Sequence, residues 1–433
     1  MKKIHLITGI VSAFLISLAT LSADTKVGVL VRDEANSLSW FKYLKTAYES
    51  SHPGSTVNLN IIGGTESDFF TKSALMLKTS TSIDVMYEDS FMLLSDVDAG
   101  VLSPIDGIEK WQDWAQFYQT SRNFATIKGK IYGVPLSTDT RGIYYNKDLF
   151  AKAGIKLPWQ PKNWNDIIET AKTIKEKDSG VAPFSFAVSA SGEGTSMQTF
   201  EMFLYGTDNT LYKDGKWVVT SQGFLDSLRF INTIFREKLG PSPSLVFTPQ
   251  YGANIAMTVM PHNKAAMVLD GCWLTGVWKG ALAKTLSDYD FAAMPTQFGQ
   301  GQGFTTMVGG FFLSIPTNSK QKELGLEFIK FALNKENELK YSLMVGNLCT
   351  REDAVSDATF PAHLKYPSSL IKYGYYRPAN QQYPTVSTYI QSAVESVALG
   401  SATPEQAMNT YAASVIRSLG KNSVIELPVN NQK

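Results

Sequence analysis

The sequence predicts two α/β lobes, each a sheet covered by helices, joined by hinge crossings. Three observations carry that expectation. The chain has 433 residues, whereas a single hydrophobic core stops growing at roughly 250–300. Its first hundred residues alternate short apolar runs with amphipathic ones across glycine-rich turns, the pattern of a parallel sheet layered by helices. Residues 129–150, GKIYGVPLSTDTRGIYYNKDLF, read as strand, polar interruption, strand and helix start. Pro135 has no N–H to donate to a ladder, so this stretch reads as an edge strand or a link between two bodies, a hinge.

Taken in order, the chain opens with Lys2-Lys3, an apolar run over 4–21 and Leu21-Ser22-Ala23, the layout of a signal peptide cleaved after Ala23. An uncleaved anchor is the weaker reading, because Ser12, Ser17 and Thr20 dilute a run already short for a span. No cysteine lies near the cleavage point, so a freely diffusing exported protein is expected rather than a lipid-anchored one. The formal charge of +1, or −1 once Lys2 and Lys3 leave, recommends neither nucleic acid nor an acidic membrane as partner. A hydrophobic fraction of 44% with 18% charged residues describes an ordinary globular chain.

Residues 26–31 then read as a strand. Residues 40–48 read as a helix with Phe41, Leu44 and Tyr48 on one face, stopped by His52-Pro53-Gly54. Alternation over 56–62 predicts a second strand. Thr65, with Asp68 three residues on, predicts the cap of a helix running to Leu77. Residues 83–87 form the next strand. Beyond the hinge, Trp164, Ile167, Ile168, Ala171 and Ile174 make a helical stripe, 183–188 a strand, and Phe224 to Phe235 another helix closed by Gly240-Pro241. Residues 264–269 read as a buried strand delivering Gly271-Cys272-Trp273 to its carboxyl end. Residues 291–295, the glycine-rich 299–303 and 307–315 are expected to carry the chain back to the first lobe. A helix follows over 320–334, a third crossing over 346–351, and helical packing on the second lobe thereafter. Ligands of such sheets bind where loops meet the carboxyl ends of strands, which points to 32–40, 63–66 and 88–90 in the first lobe.

A family resemblance runs through these motifs. GKIYGVP, YYNKDLF with Ala153-Gly154, and Trp164 resemble the central signature of periplasmic sugar-binding proteins of ABC importers, the extracellular solute-binding family of maltodextrin type. Tyr48-Glu49 with Pro53-Gly54, Ile83-Asp84-Val85, and 100–106 (GVLSPID) are similar to further family motifs in the same order. So are Lys264 to Met267 with Gly271-Cys272-Trp273, Gly309-Gly310 before Ile315-Pro316, and 346–351 (GNLCTR). The resemblance implies a type II periplasmic-binding-protein fold with discontinuous lobes. A signal peptide would occupy 1–23, the first lobe 24–138 and 295–345, and the second lobe 139–294 and 346–433. It also implies a monomer that captures a carbohydrate in the periplasm, closes over it, and delivers it to the permease subunits, with no cofactor and no metal.

Candidate ligand residues follow from that reading. Trp273 offers a flat indole on which the C–H face of a sugar ring can lie, and the glycine before it lets backbone approach. Trp40 is a second, weaker aromatic candidate. Asp139 stands where the resemblance puts a sugar-binding carboxylate, which can accept two hydroxyl hydrogens, with a salt bridge to Arg141 as the alternative. Asp89 and Glu193 are loop acids of the same kind, and Thr65 is a candidate whose capping role already accounts for it. Gly310 would bring a backbone amide to the cleft. Arg351 would fork onto hydroxyls or pair with Asp353. Cys272 and Cys349 lie near ligand-facing motifs of the family, so a disulfide between them and two buried thiols both stay open.

Enzymatic readings find little support. The four histidines are scattered without metal-ligand spacing, and neither a nucleophile elbow nor a phosphate loop is present. A secreted carbohydrate-cleaving enzyme would need a placed pair of carboxylates, and nothing in the sequence selects one. Tyr144-Tyr145 and Tyr375-Tyr376 raise ferric-ion or other small-solute capture as an alternative, without the carboxylate and histidine company it would need. A receptor-docking role on the same fold is a further alternative.

Overall fold

The computed structural model describes residues 25–430 apart from 65, 191, 249 and 250; the expected signal peptide and Thr65 lie outside the described residues. Two sheets organise the chain. The larger, seven-stranded sheet has the order 348–349, 134–138, 311–316, 85–89, 25–32, 55–62, with 102–103 pairing on 311–316. Thr25–Arg32 runs parallel to Ser55–Ile62 in unbroken register from Thr25↔Ser55 to Arg32↔Ile62, and parallel to Val85–Asp89. The connections are helices Ala35–Ser51 and Glu66–Thr79. Phe41, Leu44 and Tyr48 are buried as their spacing predicts.

The parallel pattern stops there. Phe311–Pro316 pairs antiparallel to Val85–Asp89, and Val134–Thr138 antiparallel to Phe311–Pro316, so the sheet is mixed. Phe311–Pro316 returns from the other lobe at the end where Val134–Thr138 leaves for it, and that sets its direction. Pro135 does not lie on an edge strand, because Leu348–Cys349 pairs outside it. That short strand covers only Ser137 and Thr138, so Pro135 sits beyond its end, where no N–H is needed.

The second, four-stranded sheet has the order 289–292, 141–146, 265–271, 182–185. Arg141–Asn146 continues directly from the first sheet's Val134–Thr138, so residues 139–140 are the link between the two sheets. Helix Trp164–Lys177, capped by Asn163 whose side chain accepts from Asp166 N–H, and helix Gln222–Arg236, capped by Ser221, cover this sheet with their apolar faces inward.

Two crossings fall later than expected. Positive φ at Gly299, Gly301 and Gly303 turns the chain into a hairpin between Met294–Pro295 and Phe304–Met307. Met294 and Met307 pack in the second lobe's core, whereas Leu313 and Ile315 pack in the first lobe's. Similarly, Gly346 at φ 86 ends helix Lys335–Val345 and lays Leu348–Cys349 along the first sheet. The final passage therefore comes after Arg351, through Gly374–Tyr375, which pairs with Phe304–Met307, to helix Tyr383–Ala398 in the second core.

Candidate functional site: a charged cleft between the lobes

The carboxyl ends of strands from both sheets meet around a cavity of about 280 Å³, at the low end of the range of ligand pockets, roughly 300–1,000 Å³. Thr25–Arg32 delivers Arg32 and the residues after it, Val85–Asp89 delivers Asp89, and the link at 139–140 delivers Asp139. From the second lobe, Ala265–Gly271 is followed by Trp273. The π-helical turn Thr195–Glu201, a geometry frequent at functional sites, presents Met197 and Gln198, and the chain just before it presents Glu193.

Asp89, Asp139, Glu193, Trp273 and Gly310 thus converge on one cleft. Asp139 is almost wholly buried and paired with Arg141, and Gly309 N–H donates to its Oδ1 at 3.1 Å. Burial raises its pKa, while Arg141 and then Arg377 pull it down. Arg141 is fixed in turn by Met307 O at 3.0 Å, and its guanidinium carbon stands 5.0 Å from the Trp273 ring centroid. The indole folds back across Gly271, where a Cβ would lie 1.9 Å from the ring, so glycine is required there. Gly310 has φ +122, and a Cβ on it would lie 1.9 Å from Ser137 O.

The centre of the site is a residue that sequence reading missed. Arg377, 7% exposed, donates through Nη2 to Asp89 Oδ1 at 3.0 Å and to Ser90 Oγ at 3.1 Å, and its Nη1 stands 3.8 Å from Glu193 Oε1. It joins a carboxylate of each lobe from the last crossing. Although burial works against its charge, Asp89 and Glu193 hold its pKa above the ordinary arginine value. Its only signal was a lone Arg-Pro beside a tyrosine pair, and no periodicity marks such a residue. Glu193 also accepts from Tyr383 Oη and Ser387 Oγ, both at 2.5 Å.

A second compartment of about 220 Å³ shares Gly194, Gln198 and Trp273 with the first, and is walled by Asp270, Tyr251 and Thr195. Asp270 is 8% exposed, accepts its neighbour Gly271 N–H at 2.7 Å, and is pushed by burial to about 7.

Two candidates lie elsewhere. Trp40 is fully buried in the first lobe, edge-on to Phe41 and Tyr341, and donates Nε1–H to Asn337 O at 3.1 Å. It belongs to the same inward face as Phe41 and Leu44. Arg351, 2% exposed, forks onto Asp353 at 2.9 and 2.8 Å and reaches Asp113 at 2.8 Å, anchoring the chain after Leu348–Cys349. The Asp353 pairing is the bland alternative of the sequence reading. Cys272 and Cys349 are free buried thiols in one small apolar cluster, not a disulfide. Burial pushes Cys272 up to about 12 and Cys349 well above the usual thiol value, so both are protonated. The tyrosine pairs go to separate partners: Tyr144 to Gly271 O, Tyr145 to Asp290, Tyr375 onto the Tyr205 ring and Tyr376 onto Phe124.

The family model for bacterial extracellular solute-binding proteins matches residues 33–339. A binding protein of Brucella abortus is 25% identical over 389 residues, covering 88% of this chain and 90% of that one. The galactooligosaccharide-binding protein of Bacillus subtilis is 22% identical over 299 residues, 66% and 65% of the two chains. Among solved structures, maltose-bound MalE3 of T. maritima superposes with a TM-score of 0.81 at 20% identity, covering 91% of this chain and 100% of that one.

Proposed function

The chain belongs to the bacterial extracellular solute-binding protein family, and on that premise we propose that it is the carbohydrate-capturing component of an ABC importer. The observation that carries the reading is the cleft itself, where Asp89 and Asp139 from one side and Glu193 from the other surround a single partly exposed indole, Trp273. Carboxylates held by arginines accept hydroxyl hydrogens strongly, and an indole gives a sugar ring an apolar face, so the two together suit a polyhydroxylated ligand. Asp139 spends Oδ1 on Arg141 and Gly309; Oδ2 is the oxygen we assign to the ligand. The compartment behind Trp273 favours a ligand of two sugar units over one.

The protein binds this ligand intact and works outside the cytoplasmic membrane as a monomer, its leader removed after Ala23. No helix among the described residues is long and apolar enough to cross a membrane. Closure is driven by differential affinity, because only the closed form lets the ligand touch both lobes at once. Docking of that closed form on the permease then releases the ligand inward.

A thermal-shift screen of the mature protein against mono- and disaccharides tests the reading, since a ligand bound only by the folded form raises Tm. A disaccharide is expected to stabilise, to be recovered chemically unchanged, and to lose at least about tenfold in affinity in Trp273→Ala, the ~1.4 kcal/mol expected of an aromatic contact. No stabilisation by any saccharide, or cleavage of one, overturns it.

A further inference from the structure

Behind Glu193 the side chains pose a problem of proton counting. The Tyr383 hydroxyl stands 2.5 Å from Glu193 Oε1 and 2.6 Å from Glu201 Oε1. A phenol carries one hydrogen, and an ionised carboxylate can only accept. Both short contacts are hydrogen bonds only if one of the two carboxyls brings a proton of its own. The surroundings decide which. Glu193 is partly exposed in the cleft, faces Arg377, and already accepts from Ser387 Oγ at 2.5 Å. Glu201 is wholly buried at the end of the π-helical turn, and its Oε2 meets no hydrogen-bond partner among the described residues. A lone buried charge there would be expensive, whereas a neutral acid is not.

We infer that Glu201 is a neutral carboxylic acid whose proton is donated to Tyr383, so that Tyr383 donates its own to Glu193 and holds that carboxylate in the cleft. Glu201 is thereby a positioning residue for the ligand site, two hydrogen bonds away from it. The inference rests on the assignment of the cleft as the ligand site, but the position of the proton does not. The groups facing Glu201 are Tyr383 and Glu193: a Tyr383 hydrogen aimed at Glu201 favours its charge, a support withdrawn when that hydrogen goes to Glu193, and Glu193 disfavours it as a like charge. Arg377 and Arg141 favour its charge from farther off, and the phenols Tyr205 and Tyr411 lie in the packing around it. Burial dominates and places its pKa at about 8. Above that value two anions compete for one phenolic hydrogen, and the Glu193 link to Arg377 and thence to Asp89 loosens.

The consequence is a ligand affinity that falls on the alkaline side. If the closed complex needs this proton, affinity drops about tenfold between pH 7 and pH 9, the limit for one proton with a pKa near 8. Two measurements decide it. Carboxyl-carbon NMR of the ligand-free mature protein is expected to show one glutamate titrating near pH 8 that disappears in Glu201→Gln. Binding of maltose, mannobiose and galactobiose, followed by tryptophan fluorescence, is expected to weaken about tenfold from pH 7 to pH 9 in the wild type. In Glu201→Gln, whose amide N–H can donate to Tyr383 at every pH, affinity should stay within about threefold of wild type at pH 7 and remain flat. Glu201→Leu, of similar size without a donor, should bind weakly throughout. No glutamate whose titration above pH 7 is lost in Glu201→Gln, a flat wild-type profile, or equal behaviour of the Gln and Leu variants overturns the inference. If none of the three sugars binds, the binding arm is repeated with whichever saccharide the thermal-shift screen selects. The carbohydrate reading fails only if none does, and the carboxyl titration alone still places or displaces the proton.

Discussion

At the scale of single residues, the cleft is built from charges that already have partners, and its energetics turn on what happens when one is removed. Arg377 satisfies Asp89 and faces Glu193 while 7% exposed. Arg377→Ala strands both acids, and breaking a buried ion pair from one side costs about 3–5 kcal/mol. Urea unfolding should show that loss, with Arg377→Lys recovering part of it, because an ammonium keeps the charge but not the planar fork. Gly310→Ala makes a different test. Its φ of +122 is strained for any L side chain, and the new Cβ would meet Ser137 O at 1.9 Å. A loss of about 3 kcal/mol or more is expected; a near-neutral result would mean that the crossing can shift. The legible part of the site was what chemistry advertises, an indole after a glycine and acids in loops after strands. Arg377, Tyr383 and Glu201 were illegible because each acts only through a partner far off in sequence: 288 residues separate Arg377 from Asp89 and 182 separate Tyr383 from Glu201.

At the scale of elements, periodicity located the helices and strands but not their allegiance. The stripe from Trp164 to Ile174 and the helix through Phe224 and Ile231 lie where their spacing puts them, with those residues buried. Spacing says nothing of which sheet a strand joins or in which direction, so Leu348–Cys349, expected in the second lobe, pairs in the first sheet, and nothing in the sequence marks Phe311–Pro316 as antiparallel to Val85–Asp89. The same blindness explains Trp40. A tryptophan at the mouth of a helix can face a ligand or a core, and the helix Ala35–Ser51 turns it toward Tyr341. Trp40→Ala should therefore destabilise by about 3–5 kcal/mol, the usual cost of emptying a core aromatic site. Ligand affinity, measured well below the lowered Tm, should stay within about twofold of wild type. A large affinity loss without destabilisation would return Trp40 to the cleft.

At the scale of the whole molecule, several acids are buried with raised pKa values, and together they tilt the stability curve. Burial raises Asp96 to about 6, Asp270 to about 7 and Glu201 to about 8, and raises Glu88, beside Asp96, well above the carboxylate range. A carboxyl whose folded pKa exceeds its unfolded value holds its proton more tightly when folded. The stability it contributes is complete below the unfolded value, near pH 4, and is lost as pH rises through the folded one. For Asp96, Asp270 and Glu201 the losing window runs from about pH 4 to about pH 8. Asp353 and Glu49 have lowered values and act the other way, but their contribution is lost only on the acid side, below about pH 4. His363, with a value lowered by partial desolvation and by Lys279, costs stability only as pH falls below its unfolded value of about 6.5, which narrows the gain without reversing it. With Glu338 and Asp139 raised by burial as well, six rising acids against one falling histidine put the maximum near pH 5. Scanning calorimetry of the ligand-free protein should find Tm several degrees higher at pH 5 than at pH 8.5, since ~1 kcal/mol moves Tm by about 2 °C or less in a chain this long. Glu201→Gln should remove part of the slope, and a Tm that climbs from pH 5 to pH 8.5 would show that these carboxyls are ionised in the folded protein.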